Sequence, residues 1–378
     1  MKNNVKLFLL RTLKFLALVL PLACVIHFAQ ENLFYYEDYN TRRIEQFYEE
    51  EKDSLDVVVI GASETFAGYA PGYAYENYGF TSYLYSMDSN TGSIYKSAVK
   101  EIMKHQNPQV ILVDIYGFLS GEGWDFYDEP RVRMFVESIP FSMNKVQTIL
   151  EHPFDNKISY FVPMVKYHGE LATAQERLAT LNEPEEDIPD LKGVITRTII
   201  HQEGGDPGYD VDFEYFDLCA DSRKCLEDFL AYCEKANLDN IVFVNFPRYL
   251  TNEDKNSWLG MIMRVEEILN ENGYELLNLQ NEMEQIGIDV TRDFYNEHHL
   301  NVYGQMKVTD YLGTYMVNEC QVVPTAQTAE NQQKWEDCVI ATRQLITLAD
   351  ACIHRGEDYF IDETVYAYLP VAEILNAE

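Results

Sequence analysis

Two short stretches hold side chains that could do chemistry together. In "DVVVIGASETFAGYAP", residues 56–71, four apolar residues, Val57 to Ile60, stop at Gly61, and Ser63, Glu64 and Thr65 follow at once. In "DFYNEHHLNVYGQMKVTDYL", residues 293–312, His298 and His299 arrive just before a helical pattern. A serine hydroxyl becomes a nucleophile when a neighbouring base takes its proton, and an imidazole suits that task near neutral pH. Alone, Ser63 reads as a turn or cap residue after a strand, and a histidine pair as a capping or packing feature. A serine after the first strand combined with a histidine before the last helix is a rarer, two-part constellation. Its chemistry would be acyl transfer.

Elements that could bring the two together are legible in the pattern. Val57–Ile60 is a continuous apolar run of the kind a parallel sheet buries on both faces. Residues 109–116, "QVILVDIY", 241–246, "IVFVNF", and 274–279, "YELLNL", read as further strands. Between them lie helical patterns at 93–106, stopped by Asn107-Pro108, at 222–238, and at 258–272, ended by Gly273; another covers the region of 299–316. Gly304 inside that last helix points to close packing. Strand–helix alternation of this kind predicts an α/β fold: a doubly wound, flavodoxin-like, mostly parallel sheet in three α/β/α layers. In such sheets ligands sit beyond the carboxyl ends of the strands, where Ser63 falls. Residues 56–320 are expected to form this domain. Residues 118–216 break the rhythm as a long insertion, a candidate lid, and 321–378 read as a helical C-terminal extension.

Composition bounds the function classes. Four of the 29 basic residues (Lys2, Lys6, Arg11, Lys14) precede the first acid, Glu31, which leaves 25 against 62 acidic residues. Such a surface repels nucleic acid. The basic start and the apolar run from Phe15 to Ala29 read as a targeting segment over residues 1–30. An uncleaved signal anchor is favoured over a cleaved signal peptide or lipidation at Cys24, and the basic end would keep the acidic domain extracytoplasmic. Residues 31–55 would form a stalk. Outside the apolar run, Cys219, Cys225, Cys233, Cys320, Cys338 and Cys352 permit disulfides, but free, buried thiols fit equally; none has metal-ligand spacing. No H-E-x-x-H, Walker loop or G-x-G-x-x-G is present, so no metal or cofactor is expected.

The two motifs together resemble the SGNH/GDSL hydrolase superfamily, in particular the membrane-anchored branch of bacterial cell-surface ester enzymes related to DltD-like proteins. "VIGASETFAGYAP" resembles the first block, which puts Ser63 in the nucleophile position. "DFYNEHHLNVYGQMKVTDYL" resembles the last, which puts His299, followed by Leu-Asn, in the base position. The intervening "SMDSNTGSIYKSAVKEIMKHQNPQVILVDIYG" is similar to the middle of the family, and Asn90 and Gly92 would line the oxyanion site. The likeness covers residues 56–117 and 220–312. Three departures stand out: Ala62 replaces the aspartate of the GDS form, Tyr116-Gly117 occupies the place of the oxyanion asparagine, and Asn296 stands three residues before the histidine where the family has aspartate. Asn296 could orient the imidazole as a neutral acceptor; Asp293 is the alternative carboxylate, and His298 is expected to be structural or substrate-facing.

The resemblance implies an extracytoplasmic serine esterase or O-acyltransferase acting on esters, O-acetyl among them, of a cell-surface glycan or polymer. It also implies a membrane-bound O-acyltransferase as partner. Trp124, Phe126, Tyr127, Tyr209 and Tyr215 could stack on sugar rings, although packing is the plainer role for most of them. The rival from another class is a non-catalytic envelope protein of the same fold that binds glycan or a membrane partner.

Overall fold

The computed structural model describes residues 2–121, 126–181, 190–201, 217–249 and 255–362. In chain order these form α1 (Lys2–Asn32), α2 (Tyr39–Gln46), β1 (Val57–Ile60), α3 (Ser63–Gly68), α4 (Pro71–Tyr78), β2 (Ser82–Leu84), α5 (Tyr95–His105) and β3 (Val110–Asp114). Next come α6 (Glu129–Ser138), α7 (Met143–Glu151), α8 (Ile158–Phe161), α9 (Met164–Tyr167), α10 (Leu171–Thr180) and β4 (Thr196–Arg197). The chain continues through α11 (Ala220–Ala236), β5 (Ile241–Asn245), α12 (Lys255–Glu271), β6 (Leu276–Asn278), α13 (Met283–Ile286), α14 (Val302–Asn318), α15 (Ala329–Arg355) and β7 (Phe360–Ile361).

The expected fold class is the one observed. Five parallel strands in the order β2-β1-β3-β5-β6 are flanked by helices in three α/β/α layers. Every residue of β1 and of β3 is buried, which is why Val57–Ile60 and Val110–Val113 are unbroken apolar runs rather than alternating ones. Val57 to Ile60 pair in register with Val110 to Val113, and Ile111 to Asp114 pair with Ile241 to Val244. The strand order reverses between β1 and β3, so the switch-point crevice opens beside the carboxyl end of β1, where Ser63 emerges. Sequence periodicity does not reveal β2, since three residues beginning with Ser82 are too few to show a pattern.

The chain divides into two compact units, one of Met1–Asp38 with Ile149–Glu186 and one of Tyr39–Thr148 with Asp187–Glu378. In the first, α1 is the one described helix long and apolar enough to cross a membrane, over Val5–Asn32 with a hydropathy of 2.1. The Arg177 guanidinium of α10 lies 3.6 Å from the Tyr35 ring and donates to the carbonyls of Leu33 and Tyr35. Of the expected insertion 118–216, the described residues 149–181 fall in the first unit, and 118–121, 126–148 and 190–201 fall in the second.

Two other expected boundaries change within the second unit. Of the expected stalk, residues 39–55 are built into the core: Ile44 and Phe47 are buried, and Arg43 donates to the carbonyls of Ser86 and Gly193. The described part of the C-terminal extension, residues 321–362, is likewise tied into the core rather than an appendix. Trp335 and Leu348 of α15 are fully buried, Trp335 packs on Tyr75 of α4 at 5.0 Å, and β7 pairs with β4. Asp56, just before β1, accepts from Thr325 N–H at 3.1 Å and Thr325 Oγ1 at 2.5 Å, which ties the segment ahead of α15 to the sheet. None of the seven cysteines is in a disulfide, and Cys233, Cys338 and Cys352 are buried.

Candidate active site

Ser63 is the first residue of α3, separated from the end of β1 by Gly61 and Ala62. The turn between them requires Gly61. A Cβ there would stand 2.2 Å from Thr65 Cγ2 and 2.6 Å from Asp114 Cβ, so the end of β3 closes directly onto the turn. Ser63 also holds the first turn of a helix, where its own N–H lacks an intrahelical acceptor.

His299 comes from the other end of the chain on a loop clamped at both sides. Phe294 and Leu300 form an antiparallel bridge, Tyr295 N–H donates to His299 O at 3.0 Å, and Asn301 N–H donates to Asp293 O at 2.9 Å. Asn301, fully buried, caps α14 through Tyr303 N–H, and its amide nitrogen donates to the carbonyls of Arg292 and Ile199. That work explains the Leu-Asn pair after the histidine: the asparagine fixes loop and helix together. Gly304 packs as expected, since a Cβ on it would meet Asp293 O at 2.5 Å.

The two residues meet. His299 Nε2 lies 2.7 Å from Ser63 Oγ, and His299 Nδ1 lies 2.9 Å from Asn296 Oδ1. The proton positions follow from the donors around Asn296. Its Oδ1 also accepts from the backbone N–H groups of His298 and His299, each at 2.9 Å, and only an oxygen can accept from them. His299 Nδ1 must then carry the proton it donates to that oxygen. Nε2 is left as the acceptor facing the Ser63 hydroxyl, the tautomer a general base requires. The Tyr295 ring stacks on the imidazole with centroids 5.2 Å apart and planes 3° from parallel, which fixes the ring plane.

Asp293 does not take part. Its buried carboxylate accepts from Lys307 Nζ at 2.5 Å and from Asp289 N–H at 2.7 Å, beneath the loop, and Asn296 makes the contact to the histidine. His298 is half-buried, with its ring 3.5 Å from an Arg248 nitrogen. Asn90 is buried and donates to Gly61 O at 3.1 Å, two residues before Ser63, so its amide nitrogen supports the turn that leads to Ser63. Gly92 lies against Gly117 and the Phe118 ring after β3, where a Cβ would stand 2.5 Å from that ring. Both lie on the loop after β2, Asn90 against the turn before Ser63 and Gly92 against the segment after β3. Phe126 is buried against Tyr127, while Trp124, Tyr209 and Tyr215 lie outside the described residues.

Three ionisable residues escape sequence reasoning. Glu64, next to Ser63, pairs with Arg248 in a buried ion pair, and its second oxygen lies 3.4 Å from Ser63 Oγ. The Arg248 guanidinium sits over Trp258 at 4.2 Å and Tyr116 at 4.8 Å, two rings stacked within 18° of parallel. Asp114 ends β3, buried, with one oxygen accepting from Tyr116 N–H. Burial and the neighbouring Glu64 push its pKa up to about 8, so it keeps its proton at neutral pH. A signal existed for two of them: Asp114 and Arg248 both stand at or just past the carboxyl end of a strand.

The surroundings set the base strength. Burial, followed by Arg248 and His298, pushes the His299 pKa down to about 3. Asp88 works the other way but is itself held by Arg131 at 3.1 Å. Asn296 is a neutral amide where an anion could stand, so the group bonded to Nδ1 adds no charge to support the imidazolium. His299 is neutral and ready to accept at any physiological pH, and weakly basic when it does.

Among the described residues no group of three or more His, Cys, Asp or Glu side chains could hold a metal. No protein-family model matches this chain, and no curated protein matches it either.

Proposed function

We propose that this chain is an extracytoplasmic serine esterase or O-acyltransferase of the SGNH/GDSL type, acting on acyl esters of a cell-surface glycan or polymer. The observation that carries the reading is the dyad: Ser63 Oγ 2.7 Å from an imidazole nitrogen that the Asn296 contact forces to be an acceptor. Ser63 Oγ attacks the ester carbonyl carbon as its proton passes to His299 Nε2. The carbonyl oxygen becomes an oxyanion, for which the Ser63 and Gly92 N–H groups are the candidate donors. Collapse breaks the ester C–O bond, the leaving alkoxide takes the proton from Nε2, and the acyl group stays on Ser63. A second hydroxyl, from water or a sugar, then repeats the sequence and frees the serine. Water makes the reaction hydrolysis; a sugar hydroxyl makes it transfer.

An uncleaved α1 would hold this domain on the outer face of the membrane, its basic end in the cytoplasm. There a membrane-bound O-acyltransferase could hand on the acyl group. The weak base favours one other reading, an envelope protein that keeps the fold and binds glycan or such a partner without turnover.

Labelling with a fluorophosphonate decides between the two. The full chain should label covalently at Ser63, and Ser63→Ala and His299→Ala should both abolish the label while melting as the parent does. A folded parent that does not label would refute catalysis and leave the binding reading.

A further inference from the structure

The unit of Met1–Asp38 and Ile149–Glu186 leaves large apolar side chains uncovered by the protein. Leu150, Ile158, Leu171 and Leu178 are 55–69% exposed, and Leu181 is also exposed. In and just past α10, Leu171, Leu178 and Leu181 stand at i, i+7 and i+10, which places them on one side of the helix. An uncovered apolar set of this kind marks a contact surface. Its charge differs from the rest of the chain. Residues 149–181, which carry the apolar set, hold Lys157, Lys166 and Arg177 against Glu151, Asp155, Glu170 and Glu176, close to neutral in a protein of net charge −33, and Glu183, Glu185 and Glu186 follow only after Leu181. An acidic face would be repelled by an anionic lipid surface; this one is not.

The same unit fixes the level at which this surface sits. Arg177 of α10 grips the chain as it leaves α1, through the Leu33 and Tyr35 carbonyls and the Tyr35 ring. That exit reads Phe34-Tyr35-Tyr36, an aromatic run of the kind that settles at lipid headgroups. We propose that residues 150–181 form a membrane-interface platform, with Ile158, Leu171, Leu178 and Leu181 set in the headgroup–acyl boundary of the bilayer that α1 crosses. The platform rests on reading α1 as a retained span. It would add a second attachment beside the anchor, independent of the chemistry at Ser63.

The test uses the full chain in nanodiscs of lipids brominated along the acyl chain, with a tryptophan introduced singly by Leu178→Trp, Leu171→Trp or Leu16→Trp. Emission above that of the unsubstituted chain should fall by about half or more for Leu178→Trp and Leu171→Trp, and most with bromines placed ~5–10 Å below the headgroups. Leu16→Trp should respond best to deeper bromines. If Leu16→Trp is quenched while the two α10 positions ignore bromolipid and are quenched by aqueous acrylamide, the platform is refuted and the anchor stands. Shielding of the α10 positions from both quenchers would also refute it, since protein would then cover them. If Leu16→Trp is not quenched, the anchor itself falls and the platform with it.

Discussion

Asn296→Asp replaces an amide oxygen 2.9 Å from His299 Nδ1 with a carboxylate oxygen of the same size. The geometry should survive. The new oxygen can accept from the same three donors, Nδ1 and the N–H groups of His298 and His299. The electrostatics change by one full charge. With about 4 Å between the carboxylate and the centre of the imidazolium and an effective dielectric near 20, the attraction is about 4 kcal/mol. That corresponds to about 3 pKa units. His299, held down to about 3 by burial and Arg248, should rise to about 6. The transition state, which carries the imidazolium, should gain up to the same amount, a ceiling of about a thousandfold in turnover. The assay is hydrolysis of 4-nitrophenyl acetate by the full chain from pH 3 to 9. The parent's acid limb should lie far below neutrality, and the variant's should stand about three units higher with turnover at pH 7.5 raised at least about tenfold. An unmoved acid limb with unchanged turnover would refute the reasoning: Asn296 would not be controlling the basicity of His299.

Three further predictions follow from the surroundings of the dyad. Arg248→Met leaves the Glu64 carboxylate buried without its partner and should destabilise the protein by about 3–5 kcal/mol in chemical denaturation, whereas adding Glu64→Gln should recover most of that loss. Gly304→Ala drives a Cβ to 2.5 Å from the Asp293 carbonyl; it should cost about 1–3 kcal/mol and slow probe labelling of Ser63, because the loop carrying His299 must shift. Stability should fall toward both ends of the pH range. His299 stays neutral in the folded chain down to about 3 while an ordinary histidine protonates near 6.5, so stability is lost as pH drops through that window. Asp114 keeps its proton up to about 8 while an unfolded aspartate loses it near 3.8, so stability is lost as pH rises through that window, and Asp114→Asn should remove the alkaline loss in melts run from pH 4 to 9.

The strands and long helices were legible because burial on both faces demands unbroken apolar runs, as in Val57–Ile60 and Val110–Val113, and because crossover helices repeat their apolar positions. Ser63 and His299 were legible for a related reason. Each stands just outside such an element, at the edge where an α/β sheet presents ligand-facing residues. Sequence also showed the neutral Asn296 where a carboxylate would be usual. Domain edges were less readable. Residues 39–55 and 329–355 are polar enough to suggest a stalk and an appendix, yet one face of each is buried against the sheet unit.

What only the tertiary structure decided is which groups face one another. The choice between Asn296 and Asp293 turned on Lys307, fourteen residues away on α14, which engages Asp293 below the loop. The ion pair of Glu64 and Arg248 joins positions 184 residues apart. Local pattern reports how a residue sits on its own strand or helix. Charge on His299 depends on burial and on Arg248, His298, Asp88 and Arg197, groups drawn from separate parts of the chain, and no periodicity in the chain encodes those distances.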